Sequence, residues 1–479
     1  MSLLVIDVGT SSVRAAVVRP DGTFDAVHQQ ATLPDTPFPG LVEFDATVLA
    51  AAAMDVAQAA LAAGGPVDAV GVTNQRASTI VWDRATGVPV APGLGWQDLR
   101  TVGTCLELQA EGFRLAPNAS ATKLAAILDQ ADPDRSRDLC FGTVDTWIIW
   151  QLTGGTVHVT DPSNASVTCL VTADCASWSE PVLERLRIPT SVLPRVVDSS
   201  GVVAHASALQ GAPAIAGIAG DQQASLIGQS CVRAGMTKAT FGTGGMLDIC
   251  VGPRPAIDVR GEAGCFPIVA WRVGEEVTWG VEAVMLAAGT NIEWLRDDLG
   301  IISSAADSDT VAASCEDSGG VVYVPALLGL GTPHWDHGAR ATLLGLTRGS
   351  GRPEIVRAVL EGIAQRGADL VDAAEADGGA SIATLRVDGG MSGNATFVQA
   401  LADATQRPVE VAPVPEATTL GAAYLAGLAV GTWSGLDDIE AAWAPSRTVE
   451  PARVLDRERW REAVSRSAGW IPELSVLDF

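Results

Sequence analysis

The chain has 479 residues, too many for one ordinary core, and 47% of them are hydrophobic, enough to fill two or more. A formal net charge of −25 argues against nucleic acid as a partner, because phosphate contacts need a basic surface. No run of 18 or more uncharged apolar residues occurs, so no membrane span is expected.

The opening MSLLVIDVG has no basic stretch and no small-residue cleavage site, and reads as a first strand rather than a signal peptide. With eight scattered cysteines and no CxxC pair, this points to reduced thiols in the cytoplasm. In VIDVGTSSVRAAVV, Val5 to Val18, an apolar run ends at Asp7, breaks at Gly9-Thr10-Ser11-Ser12, crosses Arg14 and turns apolar again. Such a turn aims backbone N–H groups and hydroxyls at one point, an anion nest suited to phosphate oxygens. Asp7 could hold Mg²⁺ through water, and Arg14 could add a charge-assisted contact. A tight hairpin that simply needs glycine is the plain alternative. No GxxxxGK[ST] loop occurs.

Ala46–Ala63 reads as a helix stopped by Gly64-Gly65, and Val67–Val72 as a buried strand. GVTNQRAST then leaves Asn74, Gln75 and Arg76 at a strand mouth, where α/β proteins bind ligands. LGWQDLR adds Trp96, an apolar wall with a polar edge. In GIAGDQQASLIGQ, Asp221 closes an apolar strand before a helix. A carboxylate there can take a proton from an attacking hydroxyl, or can cap the helix. KATFGTGGMLDIC, Lys238 to Cys250, repeats the pattern of the opening strand–turn–strand. The repeat predicts a duplicated hairpin, one per domain, with a seam near Gly228–Ser230. PHWDH carries two histidines, His334 and His337, read as loop residues rather than as a metal site.

Pro353 opens a long helical pattern, and Leu385–Val387 runs as a strand into DGGMSGN, where glycines let a base or ribose approach the backbone. Asn394 offers a donor and an acceptor beside it. Gln399–Thr405 is helical, Val409–Val411 a strand and Thr419–Leu428 a helix. Strands and helices alternate throughout, so the class is α/β.

At this point the chain resembles the FGGY carbohydrate kinase family, nearest in its motifs to the glycerol kinases. The resemblance rests on DVGTSSVR, GVTNQRASTIVWD, GWQDLRT, GIAGDQQASLIGQ, GMTKATFGTGG, NIEWLRD, GVVYVPALLGLGTPHWDHGARATLLGLTRG, LRVDGGMSGN and LGAAYLAGLAVG, in family order from Asp7 to Gly431. It implies two ribonuclease-H-like domains of the actin/hexokinase ATPase type, residues 1–229 and 230–479, with ATP and Mg²⁺ in the cleft. The implied reaction moves the γ-phosphoryl group to a hydroxyl of a small polyol or sugar. Asp221 is then the base and also binds the substrate. Asp7 orders the metal. Thr10, Ser11, Ser12 and Arg14 face the transferred group, and Gly242 and Thr243 hold the phosphate chain. Gly289, Glu293, Gly390 and Asn394 surround the nucleoside. Arg76, Trp96 and Gln222 line the sugar pocket.

The chain also departs from the glycerol kinase pattern. Ala77 stands where those enzymes carry a glutamate after the arginine, and Asn118 where they carry a tyrosine. These changes predict a wider, more polar pocket and a four- or five-carbon polyol or ketose in preference to glycerol. Glycerol itself, a ketopentose of the xylulose type, and a non-catalytic ATP-binding switch of actin-like fold are the alternatives. A homodimer is left open.

Overall fold

The computed structural model describes residues 1–414 and 416–477. Its frame is one strand–helix pattern built twice. In the first half the strands are β1 (Leu3–Val8), β2 (Ser12–Val18), β3 (Phe24–Ala31), β4 (Ala69–Asn74), β5 (Ser200–His205) and β6 (Ala214–Gly220), ordered β5-β6-β4-β1-β2-β3. β1, β2 and β3 form an antiparallel meander, and β4 and β6 run parallel to β1. Helix α1 (Ala46–Gly64) crosses between β3 and β4, capped by Asp45 at its start and Gly65 at its end. It is long and apolar enough to span a membrane by composition. Its apolar face, however, packs on β1 and β2 in the first core, with Leu49, Ala53, Val56 and Ala57 buried against Leu4, Ile6 and Val17.

The second half repeats the hairpin with a parallel strand beside it, within a sheet of seven strands. Strands β7 (Thr237–Phe241), β8 (Gly245–Gly252), β9 (Phe266–Val273), β10 (Glu276–Met285), β11 (Leu385–Asp388), β12 (Val409–Val411) and β13 (Arg447–Val449) lie as β9-β10-β8-β7-β11-β12-β13. β7 and β8 form the second hairpin, and β11 pairs parallel to β7. The expected duplication is therefore present, and it extends to whole sheets. β1 and β4, two of the inner strands of the first sheet, are covered on both faces, which is why LLVIDV and AVGVTN read as apolar runs rather than alternating ones. The long helix Arg352–Gly378 and the helix Ala395–Thr405 cover the second sheet in a core of their own.

Two further helices join the halves. α2 (Asp221–Gly228) follows β6, and α3 (Ala417–Val430) follows β12. α3 packs on β1, β4 and β6 of the first sheet, whereas α2 touches β8 and β9 of the second. A third core between the sheets holds Ala224, Leu226 and Ile227 of α2 with Leu420, Tyr424 and Leu425 of α3. The helices cross closely at Gly228 and Gly421, where an added Cβ would lie 1.8 Å and 1.7 Å from the carbonyl oxygens of Ala417 and Ala224. Some boundaries differ from expectation. The strand read as Val67–Val72 spans Ala69–Asn74, the stretch that pairs residue for residue with Leu3–Val8.

Candidate active site

Both hairpin turns open on the cleft. In the first, Gly9 N–H bonds the Ser12 carbonyl at 2.9 Å, fixing a four-residue turn with Thr10 and Ser11 at its tip. Thr10 Oγ1 accepts from Trp96 Nε1 at 3.1 Å, so the turn is tied to the wall of the neighbouring cavity. Ser12 Oγ accepts from Gln29, and Arg14 reaches Gln29 and, at 3.6 Å, Glu416. In the second turn Gly242 N–H bonds the Gly244 carbonyl at 2.9 Å. A Cβ on Gly242 would meet nothing, so its open side faces space a ligand can fill.

Asp7 lies opposite Arg14 across the β1–β2 pair, and its Oδ2 accepts from Thr419 of α3 at 3.2 Å. Burial pushes its carboxyl up to about 6, the Asp221 and Glu416 charges add to the rise, and Arg14 and the Thr419 hydroxyl oppose it. A partly buried carboxylate among other carboxylates suits a divalent cation. Among the described residues no cluster of three or more His, Cys, Asp or Glu could hold a metal alone.

A cavity of about 410 Å³ adjoins the first turn. Thr10, Arg76, Ala77, Trp96, Asn118, Asp221 and Gln222 all line it, joined by Phe266, Glu282 and Trp335 from the second half. Asp221 is the first residue of α2, after Gly220 at the N-cap, and its Oδ1 accepts from Gln222 N–H at 2.8 Å. Burial raises its pKa, against the nearby charges of Arg76 and Lys238 and that backbone bond. Arg76 stands between two carboxylates, with Nη2 2.7 Å from Glu282 Oε2 and Nε 3.4 Å from Asp221 Oδ1. Gly220 makes room for it, since a Cβ there would press on Arg76 Cγ at 2.6 Å.

Ala77 is buried and sits in the left-handed region at φ 61°, uncommon for a residue other than glycine. Ser120 Oγ donates to its carbonyl at 3.0 Å. Asn118 is exposed at the rim. Lys123, fully buried, donates to the carbonyls of Gly95, Trp96 and Asn118 at 2.8, 3.0 and 3.2 Å, and so fixes both loops. Burial lowers its pKa to about 8.

Not every expected residue meets free space. Asn74 is buried and spends its amide on Gln75 and Asn164, so it holds the fold rather than lining the cavity. Gly289 packs on the second turn: its N–H bonds the Gly242 carbonyl at 2.8 Å, and a Cβ would lie 2.6 Å from that oxygen. Asn394 caps the helix Ala395–Thr405 through Oδ1 and donates through Nδ2 to Ser308, leaving little for a nucleoside. Glu293 and Gly390 are exposed. Of the two histidines in PHWDH, only His337 lines this cavity.

The sequence reading missed Glu282, Lys238, Asp248, Lys123 and Thr419. Lys238 and Asp248 form an ion pair of 2.6 Å with both side chains fully buried, and Lys238 also donates to Gln222 Oε1 at 2.6 Å. Burial pushes Asp248 up to about 7, with Lys238 opposing and Glu282 adding. Charges inside the apolar runs TKATF, GMLDICVG and EVTWGVEAVM were the available signal, because such residues are almost never fully buried unless paired.

Comparison with known proteins agrees over the whole chain. The model of the FGGY family of carbohydrate kinases, N-terminal domain, matches residues 2–228, and that of the C-terminal domain matches residues 237–430. A glycerol kinase of Aromatoleum aromaticum is 44% identical over 98% of this chain and 99% of its own. A Plasmodium falciparum glycerol kinase solved with ADP superposes with a TM-score of 0.89 at 27% identity, covering 100% of this chain and 99% of that one. A ligand-bound xylulose kinase from Lactobacillus acidophilus shares the fold, with a TM-score of 0.84 at 20% identity over 97% and 96% of the two chains.

Proposed function

Since the chain belongs to the FGGY family of carbohydrate kinases and is a phosphotransferase with an alcohol acceptor, we propose that it phosphorylates a polyol or ketose of four or five carbons at the cost of ATP, in the cytoplasm. The two units are residues 1–229, with the acceptor cavity and Asp221, and 230–479, with the nucleotide side. Asp221 takes the proton of the acceptor hydroxyl as its oxygen bonds to the γ-phosphorus. The bond from that phosphorus to the bridging oxygen breaks, and ADP leaves. Thr10, Ser11, Ser12 and Arg14 receive the moving group from one side. Gly242 and Thr243 hold the phosphate chain from the other, with the exposed Glu293 and Gly390 beside the nucleoside, and Gly289 and Asn394 shaping its site through the second turn and the helix cap. Asp7 would hold Mg²⁺, which would neutralise phosphate charge when bound. Most of the catalysis is positioning and electrostatics.

The observation that carries the substrate class is the cavity beside Ala77 and Asn118. Covalently bonded heavy atoms pack more tightly than the ~30 Å³ of a liquid water molecule, so a six-atom triol and a ten-atom pentitol both fit the space. The space is about 410 Å³. Ala77 supplies no carboxylate, and Asn118 adds a donor and an acceptor at the rim. A second reading, glycerol as substrate, is supported by the 44% identity to a glycerol kinase over nearly the full length. An ADP-release assay over glycerol, erythritol, threitol, pentitols and ketopentoses separates them. A four- or five-carbon compound should exceed glycerol in kcat/KM by about tenfold, the size of one modest hydrogen bond. The reverse preference would replace this reading by the second.

A further inference from the structure

The cavity contains, among its described lining residues, two carboxylates, Asp221 and Glu282, and one guanidinium, Arg76. Asp221 is claimed by the proton transfer. Glu282 comes from the other half of the molecule, on β10, and no packing requirement accounts for it. Its flanking residues on the strand, Val281 and Ala283, are fully buried. Register sets it directly opposite Asp248 on β8, which in turn lies opposite Lys238 on β7. Like charges opposite each other across strands are unfavourable, and an apolar residue of similar size usually does at least as well as a buried ion pair. Lys238 compensates Asp248 at 2.6 Å, which leaves Glu282 to Arg76.

Arg76 is not saturated by these contacts. Nη2 holds Glu282 and Nε approaches Asp221, while Nη1 is buried without a hydrogen-bond partner. Nη1 has no surface open to the cavity, so what a ligand meets is the rest of Arg76 and the Glu282 carboxylate, both of which line the space. A hydroxyl is both acceptor and donor. One placed in the cavity beside Arg76 can donate to the Glu282 carboxylate, which lines the same space. A second hydroxyl on the next carbon then reaches Asp221 on the other side of Arg76.

We propose that Glu282 reads the hydroxyl next to the reacting one, so that Arg76 and Glu282 together select a neutral vicinal polyol. This rests on the kinase reading above and names its acceptor class. Glu282 takes over the acceptor role that Ala77 cannot fill, and it does so from the opposite lobe, so the diol is gripped only with both lobes in place. The same cluster disfavours acidic acceptors. Arg76 and Lys238 face Asp221, Asp248 and Glu282, so no positive charge is left over for a sugar acid.

The test is a double comparison on full-length enzyme. Wild type and Glu282→Gln are assayed by ADP release on erythritol against 1,4-butanediol, on glycerol against 1,3-propanediol, and on D-gluconate. ADP affinity by calorimetry and thermal melting serve as controls for folding. Wild type should favour glycerol over 1,3-propanediol, which lacks one hydroxyl, by about 10- to 150-fold in kcat/KM, the span of a hydrogen bond to a charged group, and erythritol over 1,4-butanediol, which lacks two, by at least as much; Glu282→Gln should cut the first ratio to about threefold or less and lower the second by a similar factor, with ADP affinity unchanged. A merely structural Glu282 would slow polyol and diol by the same factor, and that result, or no effect on either, overturns the proposal. Turnover of D-gluconate above the polyols by wild type overturns the neutral class. If wild type phosphorylates none of the polyols, both this proposal and the polyol reading fall. If it phosphorylates them and the ratio survives in Glu282→Gln, only the Glu282 assignment falls.

Discussion

At the scale of single residues, Asp221 is the base we propose, and its surroundings set its strength. Burial raises its pKa from the ordinary 3.8, while Arg76, Gln222 N–H and Lys238 hold it back. A base must be deprotonated to act, so kcat/KM should fall as pH drops through a value above that of a free aspartate. A pH profile that stays flat down to pH 4 would contradict this environment. Asp221→Asn keeps the shape and removes the base; kcat should drop by about 10²–10⁴ with ADP binding nearly unchanged. Wild-type turnover in that variant would remove Asp221 from its role. The acceptor end is tested by Ala77→Glu with Asn118→Tyr. Restoring a carboxylate and an aromatic wall should narrow the cavity and move preference toward glycerol by about tenfold in kcat/KM, one charged hydrogen bond. An unchanged substrate order would show that Ala77 and Asn118 do not set it.

At the scale of elements, the crossing of α2 and α3 decides how the halves meet. Gly421 illustrates two opposing effects. Inside a helix, Gly→Ala ordinarily gains about 0.5–1 kcal/mol. Here the new Cβ would stand 1.7 Å from the Ala224 carbonyl oxygen, a contact with backbone that no rotamer relieves. Overpacking costs about 1–3 kcal/mol or more, so Gly421→Ala should destabilise on balance. Denaturant unfolding checks the sign, and a midpoint shifted upward would mean the helices separate more easily than their packing implies. The displacement also reaches the site. Asp221 starts α2, and Thr419 of α3 bonds Asp7, so kcat should fall along with stability.

At the scale of the whole molecule, the cleft is lined from both halves. Arg76 on one side meets Glu282 on the other, and Lys238 meets Gln222. A nucleotide gripped by both hairpin turns, with an acceptor between them, should draw the lobes together. The radius of gyration by small-angle scattering should decrease from the free enzyme to the complex with a non-hydrolysable ATP analogue and polyol, and protease sensitivity should fall with it. No change in either would mean that the cleft is already closed in the free enzyme.

Much of this was present in the sequence. The two Gly-Thr turns, the apolar strands around them, the helix ended by Gly64-Gly65, and Asp221 between strand and helix follow from local rules of periodicity, capping and turn chemistry. The class of reaction came instead from the resemblance to the FGGY kinases, which rests on short contiguous motifs. What tertiary structure alone decided is which distant residues share a space. Glu282 and Arg76 are 206 positions apart and touch at 2.7 Å. Asn74 and Arg76 are near neighbours on one strand end, yet one is locked to Asn164 and the other faces the acceptor. Asn394 looked like a ligand-binding amide and is spent on a helix cap. Local patterns fix backbone conformation, but the fate of a polar side chain depends on what the fold brings opposite it. That is a property of strand order and register across hundreds of residues, which a linear reading does not contain.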